Sequence, residues 1–250
     1  MTPNKIAMVE NEDVRSVAAF PQREIERLSA CLARLLPSLS RDEVAITGGV
    51  AIQIGMAQLG SRGTREVIAD LDLVASSLDA VSADVTEAFL VSHYHVVQPG
   101  VPKFMVQLVD PATRIRVDVF PDLVGALKRS REIGIGGQVA RTLALGDILD
   151  HKLRTICMAS PTNPVDPKHA DDACALGRLL QRTIPAVSRD SLVKDVHGID
   201  DLYCRRCELS SSPRFPLAPK DRIFSLLGWT WPDGVGSSPG ASVGGWVHEQ

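Results

Sequence analysis

The chain has 250 residues, a formal net charge of −3 and 44% hydrophobic residues. At roughly 150 residues per domain this is one large domain or two small ones, long enough to bury a core without disulfide or metal staples. The balance of 27 basic against 30 acidic residues excludes a histone-like or polybasic-tail protein, and 4% aromatic residues disfavours reading single strands by base stacking. No run of about 18 apolar residues marks a membrane span. The first residues carry Lys5, Glu10, Glu12 and Asp13 and lack the apolar stretch of a secretory signal. The cysteines are Cys31, Cys157, Cys174, Cys204 and Cys207. An odd number without an export signal reads as reduced thiols in a cytoplasm.

The elements follow in order. Ile25, Leu28, Leu32, Leu35 and Leu36 recur at helical spacing and predict a helix over 22–37, ended by Pro37. Glu43–Thr47 predicts a short strand that runs into Gly48-Gly49, and 50–59 a buried helix. Residues 60–69 read as a loop. Asp70-Leu71-Asp72-Leu73-Val74 alternates with period 2, a strand. Val81, Val85, Ala88 and Phe89 predict an amphipathic helix over 79–91, and Tyr94–Val97 a weak strand. Phe104–Val109 and Arg114–Phe120 flank Asp110-Pro111-Ala112-Thr113, which predicts a hairpin. A further strand is expected near Glu132–Gly136, then helices over 146–158, 168–182 and roughly 188–203. The last twenty residues, 231–250, hold five Gly, two Pro and three Ser, a composition too poor in apolar surface to offset chain entropy. A flexible tail is expected there, with Trp229 and Trp231 as its anchor. The fold class is α/β: a mixed twisted sheet with flanking helices over 1–130, a helical domain over 131–230, and the tail over 231–250.

Three features point to chemistry. Gly48-Gly49 stands between a strand and a helix, where backbone N–H groups approach an anion closely. Asp70 and Asp72 share one face of their strand, because alternation sends Leu71 and Leu73 to the other. Paired carboxylates repel unless a cation joins them, and an all-oxygen donor set suits Mg²⁺ or Mn²⁺. Asp118 sits on the polar face of a later strand with Arg114 and Arg116, opposite Ile115, Val117 and Val119. Each feature alone also has a bland reading: a turn, a solvated strand face, a solvated acid. Their order along the chain favours a common site.

These residues resemble the nucleotidyltransferase superfamily that includes DNA polymerase β. More narrowly, Gly48-Gly49-Val50-Ala51 and Asp70-Leu71-Asp72-Leu73 are similar to motifs of the AbiEii-type bacterial nucleotidyltransferases. Leu149-Asp150-His151-Lys152-Leu153 and Lys168-His169-Ala170-Asp171-Asp172 resemble two further motifs of that group, so the likeness covers roughly residues 40–180. The resemblance implies NMP transfer from an NTP to an acceptor hydroxyl. Asp70, Asp72 and Asp118 would hold the metal, and Gly48 and Gly49 would cradle the phosphates. Lys152 would neutralise phosphate charge, with Arg65, Lys168 and Asp172 assisting nucleotide binding. It further implies an RNA or tRNA acceptor and the role of a toxin with an antitoxin partner. Departures are Arg62 and Arg65 in uncertain register before Asp70, Thr155 where a small residue often follows the Lys, and Ala175 where a second Asp is usual. Lys152 also reads as a snorkelling surface lysine, and Lys168/Asp172 as a plain i,i+4 pair.

Alternatives are an antibiotic-type small-molecule nucleotidyltransferase, a non-catalytic nucleotide-binding module, and a zinc-organised interaction protein. The last rests on Cys204-Arg205-Arg206-Cys207, half the ligands of a structural zinc site, with free thiols as the default. Arg114, Arg116, Lys128, Arg129 and Arg131 form a basic band able to meet acceptor phosphates or merely to face solvent. His93 and His95 lack a third ligand and read as packed or surface histidines. Gly134-Ile135-Gly136-Gly137 lacks the third glycine of a dinucleotide loop.

Overall fold

The computed structural model describes residues 19–61, 65–95, 104–157, 167–182 and 214–228. Helix α1 (Gln22–Leu35) buries Ile25, Leu28, Cys31, Leu32 and Leu35, one face at helical spacing, and tightens into a 3-10 turn at Pro37. Strand β1 (Val44–Ile46) leads through Thr47 into helix α2 (Gly48–Gln58), in which every residue from Gly48 to Ala57 is buried. Strand β2 (Asp70–Ala75) alternates partly exposed and buried positions as its sequence requires.

The region 79–91 departs from expectation. Only Val85–Ala88 is α-helical (α3), a 3-10 turn spans Leu78–Ala80, and Val81 makes an isolated bridge to Leu39. Phe89 is extended and Leu90 opens β3 (Leu90–His95), which pairs with β4 (Met105–Val109). The apolar spacing that reads as a helix is met here by a turn, a bridge and a strand buried on both faces. The predicted hairpin is present: β4 pairs antiparallel with β5 (Arg116–Pro121). Arg114 lies outside the strand, in the left-handed region at φ 58°, so it does not share the Asp118 face.

The strand expected near Glu132 is β6 (Arg131–Ile135), joined to β7 (Gln138–Thr142) by Gly136-Gly137. Both glycines have positive φ, 55° and 87°. A two-residue turn with that backbone matches the twist of a hairpin. β7 runs parallel to β1, so the seven-stranded sheet has the order β3-β4-β5-β2-β1-β7-β6. The boundary drawn at residue 130 therefore falls between strands of one sheet, and helices follow only from α4 (Leu145–Cys157) and α5 (Pro167–Leu179). These two pack on each other and on α2. A further helix, α6 (Lys220–Leu227), lays Ile223 and Phe224 against Leu90 and Val109. The architecture is a mixed α/β sheet with flanking helices. The expected helix over 188–203, Cys204, Cys207 and the tail from 231 lie outside the described residues. Among the described residues, no helix is long and apolar enough to cross a membrane.

Helix α1 also reaches the loops that feed two strands. Glu24 accepts a hydrogen bond from the Ile68 amide at 2.9 Å, and Arg27 donates to the carbonyls of Thr113 (2.9 Å) and Ile68. Arg34 pairs with the fully buried Asp110 in the β4–β5 turn.

Candidate active site

β2 and β5 pair in parallel, and their register sets Asp70 opposite Arg116 and Asp72 opposite Asp118. Partners directly across a ladder point to the same face, so all four side chains stand together. Arg116 bridges two of the acids: its Nη2 lies 3.4 Å from Asp70 Oδ2 and its Nε 3.1 Å from Asp118 Oδ2. Asp118 is 4% exposed, and its Oδ1 is buried with no hydrogen-bond partner. Burial raises its pKa to about 6, against the pull of Arg116 and with the push of Asp70. Burial, then the charges of Asp70 and Asp118, raise Asp72 to about 7, with Lys152 and Arg116 opposing.

The start of α2 closes on this group. The Thr47 amide donates to the Asp72 carbonyl at 2.9 Å, which sets Gly48 beside the Asp72 side chain. Gly48 has φ +62°, and a Cβ there would fall inside the Asp72 carboxylate. A Cβ on Gly49 would meet the Arg65 guanidinium instead. Gly48→Ala is thus expected to cost at least about 1 kcal/mol for the left-handed backbone, and to displace Asp72 besides. Gly49→Ala asks only the far end of Arg65 to move. Urea midpoints should fall clearly for the first and little for the second.

Cationic groups arrive from the following helices. The buried face of α4 carries Leu145, Ile148, Leu149, Lys152 and Ile156, so Lys152 is 5% exposed. Its ammonium pairs with Asp172 Oδ2 at 3.0 Å and lies 3.2 Å from His169 Nδ1. Asp172 on α5 also accepts two bonds from Arg65 Nη2, both at 3.0 Å. Arg65 and Lys152 thus share one carboxylate, which the sequence reading had set beside Lys168, one turn earlier on α5. The basic band is partly engaged elsewhere. Arg116 faces the acids, Arg129 chelates Asp147 with two 3.1 Å bonds, and Arg131 donates to Gln58 at 2.6 Å.

Asp70, Asp72 and Asp118 are the candidate residues for a cation, brought to one face by the β2–β5 register. Their hard oxygen donors fit Mg²⁺ or Mn²⁺, and the unpartnered Asp118 Oδ1 is an acceptor free for one. Among the described residues, no three His, Cys, Asp or Glu side chains stand together in an arrangement that could hold a metal ion as they are; Arg116 supplies positive charge between Asp70 and Asp118. Sequence reading passed over Arg116 as an internal partner, although its parity with Asp118 was the signal. It also passed over Gln107, an amide in the otherwise apolar β4, which pairs with Asp118.

No family model matches the chain, and a search of curated proteins finds no match. Solved structures to which it is similar include an antigenic nucleotidyltransferase-like protein from Paracoccidioides brasiliensis, at 20% identity over 82% of this chain and 99% of that one, TM-score 0.37. Another is the antibiotic-resistance factor ANT(2'')-Ia, at 18% identity over 63% and 84%, TM-score 0.42. A third is JHP933 from Helicobacter pylori, at 13% identity over 64% and 68%, TM-score 0.40. These superpositions are loose, and the site stands on its own geometry.

Proposed function

We propose that this protein is a metal-dependent nucleotidyltransferase that moves NMP from an NTP onto an acceptor hydroxyl and releases pyrophosphate. The observation that carries this reading is the β2–β5 register, which sets Asp70, Asp72 and Asp118 on one face beside the glycine start of α2. Asp70, Asp72 and Asp118 would hold Mg²⁺ or Mn²⁺. When bound, the cation would polarise the phosphoryl group and lower the pKa of the acceptor hydroxyl.

The chain's own residues supply the rest. The N–H groups at Gly48 and Gly49 would cradle the triphosphate at the positive end of α2. Arg65 and Lys152, aligned by Asp172, and Lys168 offset phosphate charge as it builds on the leaving pyrophosphate. Arg116 limits repulsion among the acids while the site is empty of nucleotide. Asp118 would complete the metal site and help to deprotonate the acceptor hydroxyl.

For the acceptor we propose RNA, tRNA in particular, and with it a toxin role and an antitoxin partner. The likeness of Gly48–Ala51 and Asp70–Leu73 to the AbiEii-type group supports this. Incubation with each labelled NTP, total RNA and a panel of small polyols and aminoglycosides tests it. Label is expected on tRNA with the wild type, and to fall at least about a hundredfold in Asp70→Ala. Label on a small molecule alone would transfer the reading to the antibiotic-type class. Incorporation unchanged in Asp70→Ala would overturn the site.

A further inference from the structure

The row that contains Asp72 and Asp118 continues across two more strands. Gln107 of β4 stands opposite Asp118, and His93 of β3 opposite Gln107. The ladder shifts between Val91 and His93, leaving Ser92 as the extra residue of a bulge. The Ser92 hydroxyl donates to Gln107 Oε1 at 2.8 Å, and both residues are buried, at 0% and 2% exposed. The other β4 residues beside it, Val106, Leu108 and Val109, are apolar, so packing alone does not call for an amide here.

A carboxamide has one accepting end and one donating end. With the Ser92 hydroxyl on Oε1, the NH₂ end is the one left to face Asp118, directly across the β4–β5 ladder. Arg116 Nε lies 3.1 Å from Asp118 Oδ2 as an ion-pair neighbour on the same strand, and Oδ1 is buried and unpartnered.

We propose that Gln107, oriented by Ser92, is a positioning residue that fixes the Asp118 carboxylate with Oδ1 presented for ligand binding. This rests on the nucleotidyltransferase reading above. Ser92 acts through Gln107, and Gln107 acts through Asp118; neither touches the reacting atoms. A bulge on the edge strand then has a task two strands away.

Titration of Mn²⁺ alone into the full chain tests the relay without an activity assay. Gln107→Leu is expected to weaken Mn²⁺ binding roughly tenfold, the usual effect of losing a group that orients a ligand. Ser92→Ala should weaken it by a smaller factor, and Ser92→Thr, which keeps the hydroxyl, should restore it. The double variant should bind no more weakly than Gln107→Leu alone, because both changes break one chain of bonds. Far-UV circular dichroism and melting curves establish that the variants are folded. If Gln107→Leu does not fold, Ser92→Ala, which removes a single hydroxyl, carries the test. Wild-type affinity in the folded variants, or fully additive losses, would overturn the positioning role. Failure of the parent reading looks different: wild type and Asp118→Asn would then be alike, both binding Mn²⁺ equally or not at all, and the positioning role would fall with it.

Discussion

Asp72→Asn is expected to abolish NMP transfer and at the same time to stabilise the metal-free protein above pH 7. The first effect follows from removing a charge that the proposed cation needs. A loss of about a hundred- to a thousandfold, some 3–4 kcal/mol of barrier, is the order seen when one preorganised electrostatic group is lost. The second follows from crowding. Burial, Asp70 and Asp118 push the Asp72 carboxyl up to about 7, against an ordinary value of 3.8. The folded state thus holds the proton more tightly than the unfolded chain does. The stability tied to that proton is complete below about pH 4 and is lost as pH rises through 7. Asparagine escapes this loss. The melting temperature of the variant should match wild type near pH 4 and exceed it at pH 8, by about 2–4 °C for each kcal/mol recovered. Added Mg²⁺ should narrow the gap at pH 8 by stabilising only the wild type. A variant less stable than wild type at pH 8 would contradict the crowding of acids at this face.

The second large effect is expected at Asp172, and here the sign is opposite. Lys152 is buried, and Asp172 is its carboxylate partner at 3.0 Å. Breaking a buried pair from one side leaves the other charge uncompensated and costs about 3–5 kcal/mol. Asp172→Ala should lower the urea midpoint accordingly. Arg65, which is more exposed, adds little to that cost. The combined change Asp172→Ala with Lys152→Met should recover most of the loss, since it removes both charges. It should not recover transfer activity. A single variant as stable as wild type would mean that Lys152 finds water or another anion and is not buried in solution.

These two sites differ in how far the sequence announces them. Period-2 alternation in Asp70–Val74 makes the shared face of Asp70 and Asp72 readable, because a strand has only two faces. The Gly48-Gly49 start of α2 is readable because a β run ends and a buried helical run begins around it. Asp172 on Arg65 and Lys152 is not, since 107 residues separate Arg65 from its partner and no local rule links them. The β2–β5 register is equally nonlocal. Two further misses had local causes. Val81, Val85 and Phe89 satisfy helical spacing while forming a turn and leading into a strand. Strand β7 hides because Val139 is exposed and Ala140 and Thr142 are small, although two glycines after Ile135 were a legible hairpin turn.

One feature of the fold bears on how the carboxylates keep their alignment. Arg27 of α1 holds the carbonyls of Ile68 and Thr113, and Glu24 holds the Ile68 amide. Ile68 comes two residues before Asp70, and Thr113 three before Arg116. A single guanidinium therefore splints both chain segments just before they enter the sheet, and so sets their phase from outside it. A slip of one residue between β2 and β5 would turn one set of acids into the core. Helix α1, remote in sequence from α4 and α5, thus braces both acidic strands at their point of entry into the sheet.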